Sequence, residues 1–312
     1  VEAYGLFSSR VLFKKNIINK INQINADIIF VHGNDTFIGI LATLYHKKLN
    51  APLVMDSHMQ QIASKNRFSW LFKFFYKKLI TPIIKSNNIK IIKTVQLDYV
   101  NKFYNIPFPL TPYLGFGSDT TLFKPDHKER NIIRKKYGLT SDSRVFIYAG
   151  KINRNKGIDI LAKAIKQRFV SSCEFAIIII GSENDSEIEN LLSESSNKII
   201  RLGTVDYETL PMYFQASDIA IFPRENSLTF FDAQASGLPV ILDDTRINLD
   251  RLKNNNGMNF KFEDPLSLRS TIIKFLEFDF NQLNLMKNNS INLITNNYDY
   301  RAISLKYIEL FD

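Results

Sequence analysis

The 312-residue chain carries 40 Lys/Arg against 31 Asp/Glu, with 45% hydrophobic and 23% charged residues. That is ordinary globular usage and excludes disorder, collagen and coiled coil, while the length exceeds one compact core and predicts two domains. One cysteine, Cys173, excludes a disulfide framework and a Cys-rich metal site and fits a reducing, cytoplasmic setting.

No apolar run approaches the ~20 residues of a membrane helix, and the first residues do not read as a signal peptide. The chain starts at Val1, not Met, so a missing N-terminal portion is expected. Charge is uneven. Residues 1–140 hold 21 Lys/Arg against 8 Asp/Glu, and residues 141–312 hold 19 against 23. A basic first half predicts an anionic partner: nucleic acid, a membrane surface or a phosphate-bearing substrate.

In chain order, the pattern predicts a helix over Ser9–Gln23, a strand over Ala26–Val31, a helix over Thr36–Lys48 and a strand over Pro52–Met55. A helix over Ser64–Ile80, a strand over Ile89–Thr94 and a helix over Gln96–Tyr104 follow. Pro125–Thr140 reads as a polar, basic linker, which sets the domains at 1–138 and 139–312. In the second half, strands are predicted at Arg144–Ala149, Phe175–Ile180, Lys198–Leu202, Asp218–Phe222 and Pro239–Leu242. Helices between them cover Lys156–Gln167, Asp185–Ser195, Tyr207–Gln215 and Ser227–Ser236, and a last helix at about 300–311 is expected to pack back on the first domain. Runs such as Ala176–Ile180, apolar on both faces, belong in parallel sheets covered by helices. The fold class is α/β: two Rossmann-like domains in tandem.

Ligands of such sheets bind beyond the carboxyl ends of the strands. Three segments there carry chemistry. After Arg144–Ala149 comes Gly150-Lys151-Ile152-Asn153-Arg154-Asn155-Lys156-Gly157, where three cations precede a helix start, a field that suits a diphosphate. A solvated basic turn is the plain alternative. After Asp218–Phe222 comes Pro223 to Val240, with Glu225 in the turn, Asn226 or Ser227 as N-cap, Asp232 further along the helix and Gly237 ending it. Asp232 is placed to accept from sugar or ribose hydroxyls; a solvated helix face is the alternative. At Met55-Asp56-Ser57-His58, His58 sits just past a strand end, with His32 as a second candidate. No HExxH, CxxC or carboxylate cluster with metal spacing occurs, so no metal is expected.

Together these segments resemble the retaining glycosyltransferases of glycosyltransferase family 4. Tyr148-Ala149-Gly150-Lys151, then Lys156-Gly157-Ile158-Asp159-Ile160-Leu161, is similar to the family's basic loop, and Ile180-Gly181-Ser182-Glu183 to its Gly-rich turn. Leu202-Gly203 with Leu210, Tyr213 and Ala216-Ser217-Asp218, the run Asp232 to Val240, and Gly117-Ser118-Asp119 with Phe123 and Pro125 match further segments.

The resemblance implies a GT-B fold, with parallel sheets facing across a cleft, and sugar transfer from a nucleotide-diphosphate sugar to a glycan or lipid-linked acceptor. It implies catalytic roles for His58, Lys151, Lys156 and Glu225, and donor contacts from Gly150, Arg154, Asn226, Ser227, Leu228, Thr229 and Asp232, without metal or other cofactor. The family has seven residues between its two motif glutamates; Glu225 and Asp232 have six, and Arg224 stands at the regular position. Only 25 residues precede the Ala26–Val31 strand, fewer than the family's N-domain usually has.

A non-catalytic GT-B subunit is the alternative reading; a nucleotide-sugar epimerase is disfavoured by the Asp232–Val240 run, and nucleic acid is not an expected partner. An anionic membrane surface is. Residues 65–85 hold six basic residues and no acidic one. Phe68, Leu71, Phe72, Phe75 and Leu79 form one helical face, read as core, with Trp70, Phe74, Lys73 and Lys77 outside it.

Overall fold

A computed structural model describes residues 3–6, 10–13, 17–58, 69–182, 185–224, 228–252 and 254–310. It divides into two compact units, one of Val1–Gly115 with Ser304–Asp312 and one of Phe116–Ile303.

The first unit holds a hairpin of β1 (Ala3–Leu6) and β2 (Arg10–Phe13) and a parallel sheet of β3 (Ile29–Val31), β4 (Leu53–Ser57) and β5 (Lys90–Lys93), in that order. The hairpin corrects the expected helix over Ser9–Gln23: antiparallel pairing claims Arg10–Phe13, and the helix begins only at Ile17. Every residue of β4 is buried.

The second unit holds β6 (Ser143–Ala149), β7 (Glu174–Ile180), β8 (Lys198–Leu202), β9 (Ile219–Phe222), β10 (Val240–Asp243) and β11 (Gly257–Phe260). The six strands are parallel, in the order β11-β10-β9-β6-β7-β8. This is the doubly wound order, in which the strand order reverses between β6 and β9, the switch point beyond whose carboxyl ends ligands of such sheets bind. Ile177, Ile178 and Ile179 are completely buried, each contributing about 2 kcal/mol by area burial. Helices cover the strands on both faces, as alternating βα units require.

The expected linker at Pro125–Thr140 is instead a helix, His127–Lys136, capped by Asp126 Oδ1 accepting from the Lys128 and Glu129 amides. Two of its basic side chains, Arg130 and Arg134, are structural. Arg130 Nη2 lies 2.7 Å from Asp218 Oδ1, and Arg134 donates to the Ala216 and Ser143 carbonyls at 2.9 and 2.6 Å. Burial would raise the Asp218 pKa; the charges of Arg130 and Lys287 and the Val145 N–H outweigh it, so the carboxyl titrates below its usual range. These bonds tie residues 116–138 to the second unit, so the units part at 115/116 rather than 138/139.

Candidate functional site

The second unit's site is built where the doubly wound order predicts it. Beyond β6, the Tyr148 hydroxyl donates to the Lys151 carbonyl at 2.8 Å and fixes the turn. Asn153 Oδ1 accepts from the Lys156 amide at 3.0 Å and caps a 3-10 turn, Arg154–Lys156. Gly157 follows at φ +72°, where a Cβ would lie 2.8 Å from Pro223 Cβ. Glycine thus lets the loops after β6 and β9 lie against each other. Gly181 does the same between β6 and β7: a Cβ there would stand 1.8 Å from the Gly150 carbonyl oxygen.

The three cations of the first loop divide. Arg154 pairs with Glu187 at 2.7 Å and reaches Asp159 at 4.0 Å, so its charge is met within the protein. Lys151 and Lys156 have no ion-pair partner among the described residues. Burial, and then the charge of Lys151, hold the Lys156 amine below its usual range. Two neighbouring ammonium groups without an ion-pair partner among the described residues set up a positive field beyond β6.

Beyond β9, Glu225, Asn226 and Ser227 lie outside the described residues, so the two N-cap candidates and the first acidic candidate stand there. The helix runs from Thr229 to Ala235 with Leu228 before it, and Leu228 gives no side-chain cap bond. Leu228 is exposed and Thr229 half-buried. Arg224 Nη2 is bound to Glu263 Oε1 at 2.7 Å.

Asp232 is buried one turn into that helix. Ser118 Oγ donates to its Oδ1 at 2.6 Å, while Oδ2 has no donor among the described residues. Burial pushes its pKa up to about 6; the Ser118 bond opposes this and the Asp119 charge adds to it. Tyr207 and Tyr300, hydrogen-bonded to each other, lie near it; burial and then the Asp232 charge raise both phenols. Ser118 is itself held by backbone bonds to Tyr298 and Tyr300. Ser118, Tyr207 and Tyr300 were not singled out as site residues, because spacing does not show that positions 114 apart in the chain meet.

In the first unit, the carboxyl ends of β3, β4 and β5 bring together His32, Asp56, His58 and Thr94. Asp56 is buried, and its Oδ2 lies 2.8 Å from His32 Nδ1 and 3.0 Å from His58 Nε2. Asp56 Oδ1 accepts from the Gly33 amide at 2.7 Å. Thr94 Oγ1 lies 2.9 Å from His58 Nδ1. The His32 and His58 side chains are 81% and 50% exposed.

Of the expected core face of the 69–86 segment, Phe75 packs against the core, whereas Leu71, Phe72 and Leu79 are corrected. The helix Ser69–Phe75 continues through a π-turn, Tyr76–Ile80, into Thr81–Ser86. The extra residue in the turn rotates the buried stripe onto Tyr76, Ile80 and Ile84, each fully buried. Leu71 and Leu79 are exposed, along with Trp70 and Phe74, which are 64% and 57% exposed; Phe68 lies outside the described residues. No helix among the described residues is long and apolar enough to cross a membrane.

Solved structures place this architecture in a class. A glycosyltransferase of Rickettsia africae covers 95% of this chain and 79% of its own, with a TM-score of 0.78 at 18% identity. The Anabaena protein HepE, solved in complex with UDP and glucose, covers 94% of this chain and 80% of its own, with a TM-score of 0.69 at 17% identity. The fold is that of the GT-B glycosyltransferases.

Residues 143–277 match the family described as "Glycosyl transferases group 1". The alpha-monoglucosyldiacylglycerol synthase of Acholeplasma laidlawii is 25% identical over 74% of this chain and 62% of its own length. The lipopolysaccharide 1,2-N-acetylglucosaminetransferase of Salmonella typhimurium is 22% identical over 75% and 58%. The alignments therefore span less than two thirds of these relatives' own length.

Proposed function

We propose that the protein is a retaining glycosyltransferase that moves a sugar from a nucleotide-diphosphate donor to a glycan or lipid-linked acceptor at a membrane surface. The observation that carries this reading is the uncompensated Lys151–Lys156 pair at the carboxyl end of β6. The two ammonium groups receive the donor diphosphate and stabilise the charge that develops on it as the glycosidic bond breaks, a preorganised electrostatic role. In this reading transfer does not call on a metal ion. Asp232 Oδ2 accepts from the ribose hydroxyls, and Leu228, Thr229 and Gly150 contact the sugar and phosphates; for Glu225, Asn226 and Ser227 the resemblance alone implies the same role. Arg154, already paired with Glu187, contributes less than the sequence alone implied. The acceptor hydroxyl attacks the anomeric carbon on the face the diphosphate leaves, and a diphosphate oxygen takes its proton.

The acceptor class is supported by the Acholeplasma and Salmonella relatives, whose names give a diacylglycerol glycolipid and a lipopolysaccharide. A surface of this chain agrees. Trp70, Leu71, Phe74 and Leu79 are exposed beside Lys73, Lys77 and Lys78. Rings among cations suit an anionic headgroup layer, which supports a peripheral position on the cytoplasmic face.

A second reading is a GT-B subunit that binds without turnover. It is favoured by Arg224, a donor-only side chain bound to Glu263 where the family has its first glutamate. Incubation with nucleotide-sugar donors and a lipid extract separates the two readings. Release of nucleoside diphosphate that depends on the extract, and stops in Lys156→Ala, is expected of the enzyme. Donor binding without release identifies the subunit.

A further inference from the structure

We infer that His32, Asp56 and His58 form a binding site for a borderline divalent transition ion such as Zn²⁺. Among the described residues, these three side chains alone bring together enough metal-ligating atoms for such a site, all within 4.8 Å of one another. They come from two neighbouring parallel strands. The register that pairs Val31 with Met55 sets His32 beside Asp56, and His58 follows two residues later.

The donor set is chemically suitable: two imidazole nitrogens and one carboxylate oxygen, with an exposed side left for water, as in three-ligand zinc sites. Ligands at about 2.0–2.1 Å from a tetrahedral ion stand about 3.3 Å apart. The observed 2.8 and 3.0 Å to Asp56 Oδ2 open by a few tenths of an ångström, while the two ring nitrogens, within 4.8 Å of each other, draw together.

The surroundings prepare the three groups. The Gly33 amide holds Asp56 Oδ1 and leaves Oδ2 to face both rings. The Thr94 hydroxyl donates to the Ser57 carbonyl at 3.2 Å and lies 2.9 Å from His58 Nδ1. With its proton on Ser57, the Thr94 oxygen accepts from His58 Nδ1–H and the Nε2 lone pair faces a carboxylate oxygen, which a cation makes favourable. With the Thr94 proton on Nδ1 instead, His58 Nε2–H donates to Asp56 and a metal ion would take the place of that Nε2 proton. A hydrogen bond to the outer nitrogen of a metal-bound histidine is the usual support for such a ligand. His32 adds the second observation: its ring is largely in water yet turns Nδ1 onto the buried carboxylate. The transfer chemistry proposed above does not pass through this ion.

The test is a titration of the full chain, first stripped of metal, with Co²⁺ followed by visible absorption, then displacement by Zn²⁺. One Co²⁺ per chain is expected, with affinity reduced at least about tenfold in His32→Ala and in Asp56→Asn. Circular dichroism checks that each variant is folded. Should the buried Asp56→Asn fail to fold, the exposed His32→Ala decides. Absence of cobalt bands at saturation, or bands unchanged in folded His32→Ala, overturns the proposal. So does a ¹⁵N spectrum with both His58 ring nitrogens protonated and unmoved by Zn²⁺.

Discussion

Ser118 Oγ donates a 2.6 Å hydrogen bond to Asp232 Oδ1, and this bond binds the segment before the helix His127–Lys136 to the helix after β9. It aims one carboxylate oxygen and leaves the other for a ligand. The same burial that shapes the contact raises the carboxyl from 3.8 to about 6.

That shift gives a pH signature. A carboxyl whose folded pKa is raised adds stability only while protonated. The contribution is complete below pH 4 and is lost as pH rises through about 6. Asp232→Asn is therefore expected to stabilise the fold relative to wild type above that range, on the order of 2–3 kcal/mol, and to do little near pH 4. Urea unfolding of both proteins across the range measures the difference; a difference independent of pH contradicts it. Donor affinity runs the other way: wild type gains affinity from pH 5 to 7 and the variant does not.

Lys156→Ala is expected to abolish transfer in a chain that still folds. The side chain is only partly buried, and in the proposed reading its amine serves the anion. Because that amine sits below its usual range, activity should decline at a less alkaline pH than an ordinary lysine would give. Steady-state rates against pH, with donor binding by calorimetry, check both statements. Normal turnover in the folded variant contradicts them.

Much of this was legible in the sequence. Ala176–Ile180 announced a strand buried on both faces, and strand alternation announced parallel sheets. The loops carrying Lys151, Lys156 and Asp232 could be read because they directly follow strands. What escaped depends on distant parts of the chain meeting. The His127–Lys136 helix read as a linker because its inner face is made of Arg130 and Arg134, cations whose partner, Asp218, lies over 80 residues away. His32 and Asp56 meet through strand register, 24 residues apart. The stripe of the 69–86 segment was misplaced because a heptad-like count cannot foresee a π-turn at Tyr76–Ile80.

The exposed face of that segment leads to a membrane prediction. Trp70 is the only tryptophan, so intrinsic fluorescence reports this surface alone. Vesicles with anionic lipid should shift its emission to the blue and sediment the protein, with both effects weakened by salt; neutral vesicles should do neither. Lys73→Glu with Lys77→Glu should remove roughly 2 kcal/mol or more of attraction. Equal behaviour on both vesicle types would falsify the surface assignment.

Transfer should also survive chelation. In the proposed reading the diphosphate charge is met by Lys151 and Lys156, so EDTA should leave the rate within about twofold. Complete loss, restored by Mn²⁺, contradicts this.

The central claim is that the lysine pair beyond β6 receives a nucleoside diphosphate. Isothermal titration of the full chain with UDP and with GDP tests it most directly. The account predicts one molecule of at least one of them bound per chain, with affinity lowered by about tenfold or more in folded Lys151→Ala/Lys156→Ala. No heat with either nucleotide, or unchanged affinity in that double variant, contradicts it.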